Sequence, residues 1–262
     1  DQFYEMKPLS KLEAILSFID YSLFEEIFPY DAHKRGPKGY SKKQLFTTLM
    51  AMPIEQLSDI KALVTRLKSD PVLRRSLGYD YTNDTPSAAT LNRFITLLSG
   101  TDILERTFRR MVCKARKLGL IDGTNVAIDA SKLTAYEHAV PKSRIPPDNP
   151  SFPNWGGKLD TNGNFIKWFG WKMHALVDTY SGIPISYIIT PANIADMDVA
   201  EDLIQKMMVD YENGLTPKYY MMDAGYDKPD LYASVYHKFH GQAIIPINWR
   251  NTKIPPEGFN LN

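Results

Sequence analysis

Apolar positions in the first 120 residues recur at helical spacing. Leu9, Leu12, Ile15, Leu16, Ile19, Leu23, Ile27 and Phe28 are mostly three or four apart, which places them on one face of a helix. Ser41 followed by Gln44 is a capping box, so a helix is predicted to about Met52 with a break at Pro53. Ile60, Leu63, Val64 and Leu67 mark the next helix. Asp70-Pro71 reads as an N-cap with proline at the first helical position, opening a short helix that Gly78 ends. Thr85-Pro86 repeats that start signal, and Leu91, Phe94, Ile95 and Leu98 give the buried face. Thr101 is the predicted cap of a last helix, Ile103 to Leu118, which Gly119 closes. Short helices joined by tight turns are compatible with a helix-turn-helix.

After Gly119 the period changes. Strands are predicted at Val126–Asp129, 169–178, 183–190, 219–223 and 243–247, with helices at 198–210 and from Asp227 to about Phe239. Thr179 to Gly182 turns the second strand into the third as a hairpin. Residues 132–165, rich in proline and glycine, read as a long irregular loop. The order strand, strand, strand, helix, strand, helix, strand is that of a ribonuclease-H-like α/β domain with a mixed five-stranded sheet. The predicted fold class is therefore α+β: an all-helical N-terminal domain, 1–120, followed by a ribonuclease-H-like domain, 121–262.

Composition adds limits. With 44% hydrophobic and 23% charged residues the chain can bury an ordinary core. One cysteine, Cys113, excludes an intrachain disulfide. No apolar run approaches the ~20 residues that span a bilayer, and Asp1-Gln-Phe-Tyr is no leader. A cytoplasmic protein without a membrane partner is expected. The net charge of +1 hides an asymmetry: residues 1–120 hold 19 Lys and Arg against 14 Asp and Glu, the remainder 12 against 16. A basic front half suits a polyanion and an acidic back half suits cations; chance variation between solvated faces produces such a difference as well.

Two carboxylates stand out. Asp129 interrupts the apolar run Val126-Ala-Ile-Asp-Ala-Ser131, and Asp223 ends Tyr219-Tyr-Met-Met-Asp223. A charge within a strand costs several kcal/mol unless something pairs with it. In the predicted strand order the two strands are neighbours, so residues far apart in sequence meet. Paired carboxylates of this kind suit Mg²⁺ (or Mn²⁺), a hard cation that takes oxygen ligands. Taken singly, Asp129 also reads as a strand-end hydrogen-bond acceptor and Asp223 as a turn residue. Asp178 reads as a turn residue, and Asp196, Asp198 and Asp227 as helix-start caps. His237 and His240 lack a third zinc ligand. Trp155, Trp168 and Trp171 suit core packing, or stacking on an extruded base. Basic side chains on helices, Lys68, Arg74 and Arg75 and the run from Arg106 to Lys117, suit phosphates or simply a solvated face. Arg93 is the strongest single candidate for DNA contact.

The ordered set Val126-Ala-Ile-Asp129-Ala-Ser, Phe169-Gly-Trp-Lys172-Met-His174-Ala-Leu-Val-Asp178, Thr190-Pro-Ala-Asn-Ile-Ala-Asp196 and Asp223-Ala-Gly-Tyr226 resembles bacterial insertion-sequence DDE transposases. Leu67-Lys-Ser-Asp-Pro-Val-Leu-Arg74, Gly78-Tyr and Pro86-Ser-Ala-Ala-Thr-Leu-Asn-Arg-Phe94 resemble the helical N-terminal domain of that group. The resemblance implies Mg²⁺-dependent phosphodiester hydrolysis and strand transfer at element ends, catalytic and metal-binding Asp129 and Asp223, double-stranded DNA (element ends and target) as partner, and a homodimer. It leaves Arg74, Arg75, Arg93 and Lys172 as candidate DNA contacts. The family's third acid is a Glu in a Tyr-x2-Arg-x3-Glu-x6-Lys helix after the fifth strand. Nothing matches that pattern, Glu257 is the only Glu after Asp223, and the third acid is unassigned. The expectation is a catalytic domain without its last helix. A DNA-binding or regulatory remnant that cannot cut is the alternative reading.

Overall fold

The computed structural model describes residues 10–29, 39–80, 84–146, 149–159, 162–212 and 214–248. The basic stretch Lys34-Arg35-Gly-Pro-Lys38, and Glu257, lie outside the described residues. Two compact units divide between Cys113 and Lys114.

The first unit is helical: α1 Lys11–Phe18, α2 Ser22–Ile27, α3 Lys42–Ile54, α4 Ile60–Ser69, α5 Pro71–Ser76, α6 Ala88–Ser99, and the start of α7 Ile103–Lys117. Local chemistry sets most of the helix starts. Ser41 Oγ accepts from Gln44 N (3.0 Å) and the Gln44 side chain returns to Ser41 N, so the predicted capping box closes. Asp70 Oδ1 accepts from the amides of Val72 (2.9 Å) and Leu73 (3.0 Å) ahead of Pro71. Three details differ from the sequence reading. The first amphipathic stretch breaks at Ile19 into two helices, because Ile19 is extended and Asp20 Oδ1 receives Ser22 N. Pro53 lies inside the last turn of α3 rather than ending it. The cap of α6 is Ser87, whose Oγ accepts from Thr90 N (3.2 Å), and not Thr85. Leu23, Leu63, Leu67, Leu91 and Ile103 are fully buried at the centre of an apolar core.

The second unit is a mixed sheet of six strands among the described residues: β1 Asn125–Thr134, β2 Asn154–Leu159, β3 Phe165–Asp178, β4 Pro184–Pro191, β5 Tyr219–Met222 and β6 Gln242–Ile244. The order is β2-β3-β1-β5-β6, with β4 pairing β3. β1 runs antiparallel to β3 and parallel to β5. Six strands correct the expected five. The additional strand, β2, lies in the segment read as loop, and β1 also runs on to Thr134. Gly156 and Gly157 erase the apolar alternation of β2, yet both are needed there. A side chain at Gly156 would meet Trp168 and Ala192, and one at Gly157 would meet the Phe165 ring. Two helices, α8 Ala200–Asp210 and α9 Pro229–His237, pack on β3 and β4 and on β6 respectively. Ser234 Oγ (3.0 Å) and Lys238 Nζ (2.9 Å) on the α9 side hold Glu201 of α8.

Candidate metal and polar centre

In β1, Val126 and Ile128 are buried while Asp129 is exposed, as the two-residue period of a strand requires. β5 pairs with β1 in register from Asn125–Tyr219 to Ile128–Met222. Asp129 and Asp223 are therefore the next residue on each of two neighbouring parallel strands, where strands lie about 4.8 Å apart. β5 ends there because the chain folds into a 3₁₀ turn, Ala224–Tyr226, capped by Asp223, whose Oδ1 accepts from Gly225 N (2.8 Å). Glycine permits that approach: a Cβ at Gly225 would lie 2.9 Å from the same oxygen. Asp129 Oδ1 accepts from Ala130 N (2.7 Å). Each carboxylate thus spends Oδ1 on the backbone. Asp223 is thus the turn residue of one reading, and the register sets it next to Asp129.

A second set of polar side chains starts from β3, where Lys172 and His174 pair with Lys132 and Ala130 while Asp129 pairs with Ala175. Lys172 of β3 donates from Nζ to Asp196 Oδ1 (2.8 Å) and to the Ile194 carbonyl (2.9 Å). His174, two residues on, is 1% exposed. Its Nε2 lies 2.9 Å from Thr190 Oγ1, and its Nδ1 lies 3.8 Å from Asp196 Oδ1 without a hydrogen bond. Thr190 Oγ1 donates to the Pro191 carbonyl (3.2 Å), so its lone pairs face His174, and Nε2–H is the fitting donor. Burial pushes the His174 imidazole down, Asp196 opposes this, and the Lys172 charge adds to it. Tyr226 closes the 3₁₀ turn. It is 1% exposed, and its hydroxyl has no hydrogen-bond partner among the described residues. Burial, then the charges of Asp196, Asp129 and Asp223, push its ionisation far above the ordinary phenol value.

The cap readings of three acids are corrected. Asp198 caps no helix, and its Oδ1 lies 3.9 Å from Lys228 Nζ. Asp196 caps nothing: its turn and α8 begin without a side-chain cap, and its carboxylate serves Lys172. Asp227 does not cap α9 either. It accepts from Asn248 N (2.7 Å) and from the Tyr232 hydroxyl (3.2 Å), fastening the chain that leaves β6. The signal for Asp196 was present in Thr190-Pro-Ala-Asn-Ile-Ala-Asp196, but its partner, 24 residues away, was not. Asp178 is the turn residue expected. It is fully buried, Oδ1 accepting from Gly123 N (2.8 Å) and Oδ2 from Ser181 N (2.9 Å) and Oγ (2.8 Å). Burial alone would push its carboxyl up, and these bonds hold it below the ordinary value.

The candidate DNA contacts fall in different settings. Arg93 is exposed on α6 and forms no ion pair among the described residues. Arg75 is exposed and Arg74 half-buried on α5. Lys172 is held by Asp196 and is 16% exposed. Arg106 and Arg110 of the basic α7 run reach Glu26 (2.6 Å) and Asp20 (2.8 Å) within the helical unit. Trp155 donates to the Val140 carbonyl (2.8 Å) and packs on Phe169, and Trp168 is buried, so packing describes both. Among the described residues no three His, Cys, Asp or Glu form a metal-holding group, and no helix is long and apolar enough to cross a membrane.

The family model for the transposase DDE domain matches residues 115–257, and the model described as transposase domain (DUF772) matches residues 1–97. No curated protein sequence matches the chain. Among solved structures, the piggyBac transposase synaptic complex with hairpin DNA is 13% identical, at a TM-score of 0.39 over 92% of this chain and 50% of that one. The Drosophila P element transposase strand transfer complex is 11% identical, at 0.37 over 87% and 47%. The Mos1 mariner paired end complex with Mn is 11% identical, at 0.28 over 92% and 69%. The chain spans about half the length of the first two. With a family model matching more than half of its residues, the chain belongs to the transposase DDE domain family.

Proposed function

We propose that this protein is an insertion-element transposase that hydrolyses phosphodiesters and transfers strands at element ends, using Mg²⁺ or Mn²⁺ held by Asp129 and Asp223. The observation that carries this reading is the register of β1 and β5, which makes the two acids next neighbours at the end of paired parallel strands. Their donor set fits a hard divalent cation. Both groups are exposed carboxylates, Asp129 within β1 and Asp223 just past β5, and the one oxygen each gives to the backbone fixes its orientation. Bound cations would activate a water or 3′-hydroxyl nucleophile and stabilise the leaving oxygen. The chain's own part is to hold two carboxylates rigidly on a sheet, so that no reorganisation is needed when charge develops.

In this reading residues 1–120 recognise double-stranded element ends and residues 121–262 carry out the reaction, on a homodimer. Arg74, Arg75 and Arg93 contact DNA, and Lys172, the fourth candidate contact, orients Asp196. Calorimetric titration with Mn²⁺ tests the metal assignment: Asp129→Asn and Asp223→Asn should each abolish binding while leaving the melting temperature unchanged. Unaltered Mn²⁺ binding in both variants would overturn it. Salt-dependent duplex binding with no cleavage by the wild-type chain would favour the non-cutting, regulatory reading instead.

A further inference from the structure

Most buried polar groups in a folded protein have a hydrogen-bond partner, and one that lacks it calls for an explanation. The Tyr226 hydroxyl is such a group. The ring sits in the core at 1% exposure, and its hydroxyl has no partner among the described residues. The turn that carries it, Ala224–Tyr226, packs against the turn Asp196–Asp198 and follows directly on Asp223. Other donors nearby are already engaged. Lys172 Nζ is bonded to Asp196 and Ile194, and His174 Nε2 faces Thr190. His174 Nδ1, another buried atom without a partner among the described residues, lies 3.8 Å from Asp196 Oδ1.

We propose that Tyr226 is a positioning residue of the metal centre. Its neutral hydroxyl donates its one hydrogen to a carboxylate among Asp129, Asp196 and Asp223 when the acids turn toward a cation, and so holds that oxygen in place. This rests on the reading of Asp129 and Asp223 as metal ligands. A phenol suits the task because it stays protonated beside carboxylates and adds no charge. An ammonium in the same position would repel the cation. The field of the same three acids on the hydroxyl agrees with this placement. Asp196, whose turn packs against that of Tyr226, has its own carboxylate oriented by Lys172.

Tyr226→Phe separates this from a packing role, because it keeps the ring and removes only the oxygen. If the hydroxyl is merely a buried orphan, its loss leaves metal binding alone and leaves thermal stability equal or higher. If it positions the acids, the apparent Mn²⁺ dissociation constant measured by calorimetry on the full chain should rise about 10- to 100-fold, with no fall in melting temperature. Unchanged Mn²⁺ affinity in Tyr226→Phe, with binding abolished in Asp129→Asn, would overturn the proposal and leave the metal site standing. Unchanged affinity in both variants would overturn the metal site and the proposal together.

Discussion

The two units of this chain bury different kinds of polar group. Among the described residues the polar residues that the helical unit buries are threonines, Thr47, Thr48 and Thr107, and Thr48 shares a hydrogen bond with Tyr79 (2.7 Å). Its charges stay at the surface, as in the ion pairs of Arg106 with Glu26 and Arg110 with Asp20. The sheet unit instead buries His174, Asp178 and Ser186 and holds Lys172 on Asp196 at its edge. Burying polar groups costs several kcal/mol unless each is bonded. Asp178 meets that requirement with three hydrogen bonds, whereas His174 Nδ1 and the Tyr226 hydroxyl do not. Ser186 Oγ and the Tyr220 hydroxyl of the same unit, and Thr107 Oγ1 of the helical unit, also lack a partner among the described residues; His174 Nδ1 and the Tyr226 hydroxyl are the two whose surroundings include Asp196 or its turn.

The contrast is broken most strongly from the helical side. Leu63 is fully buried among other aliphatic side chains, so Leu63→Ala should destabilise that unit by about 2–5 kcal/mol. Denaturant unfolding should show the loss in the helical signal, with Mn²⁺ binding by the sheet unit intact. Loss of Mn²⁺ binding at the same denaturant concentration would mean that the units unfold as one.

Acid sharpens the contrast at a smaller scale. His174 titrates below its ordinary value in the folded chain, chiefly through burial. The unfolded chain therefore binds a proton before the folded one does, and stability rises with pH across that window. The contribution is complete above the unfolded value and is lost as pH falls from there through the folded value. Melting monitored at falling pH should weaken the sheet unit first, and His174→Gln should flatten that slope. Depressed carboxyls of the helical unit, Glu13 and Asp20, act only below the ordinary carboxylate range. An equal early loss in both units would contradict the assignment.

The smallest effect on stability belongs to Arg93, exposed and free of ion pairs among the described residues. Arg93→Ala should leave melting within ~0.5 kcal/mol of wild type. Duplex binding should weaken, and the slope of log affinity against log salt should fall by about one. An unchanged slope would remove Arg93 from the DNA contacts.

Much of the architecture was legible along the chain because its causes are local. The Ser41–Gln44 box, the Asp70-Pro71 start and the alternation around Asp129 each act over a few residues. β2 was not legible, because Gly156 and Gly157 carry no side chains and so leave no apolar period; their reason, the rings of Trp168 and Phe165, lies on another strand. The roles of Asp196 and Asp227 were hidden for a related cause. A carboxylate near a helix start favours the cap on local grounds, and only the packed fold supplies Lys172 or Asn248 N as the stronger partner. The arginines of α7 were ambiguous in the same way, since the partners of Arg106 and Arg110 come from α2 and its approach, 80 or more residues earlier.

By itself, then, the sequence determined two regions of different period, a helical front and a sheet behind it, and marked Asp129 and Asp223 as charges in apolar runs. These follow from spacing, which is a property of the chain alone. The tertiary structure decided who meets whom: the register that sets Asp129 beside Asp223, the ion pair that takes Asp196 away from its helix, and the enclosure that leaves the Tyr226 hydroxyl without a partner. Such pairings depend on strand register and burial, and both are settled only when residues distant in sequence pack against one another.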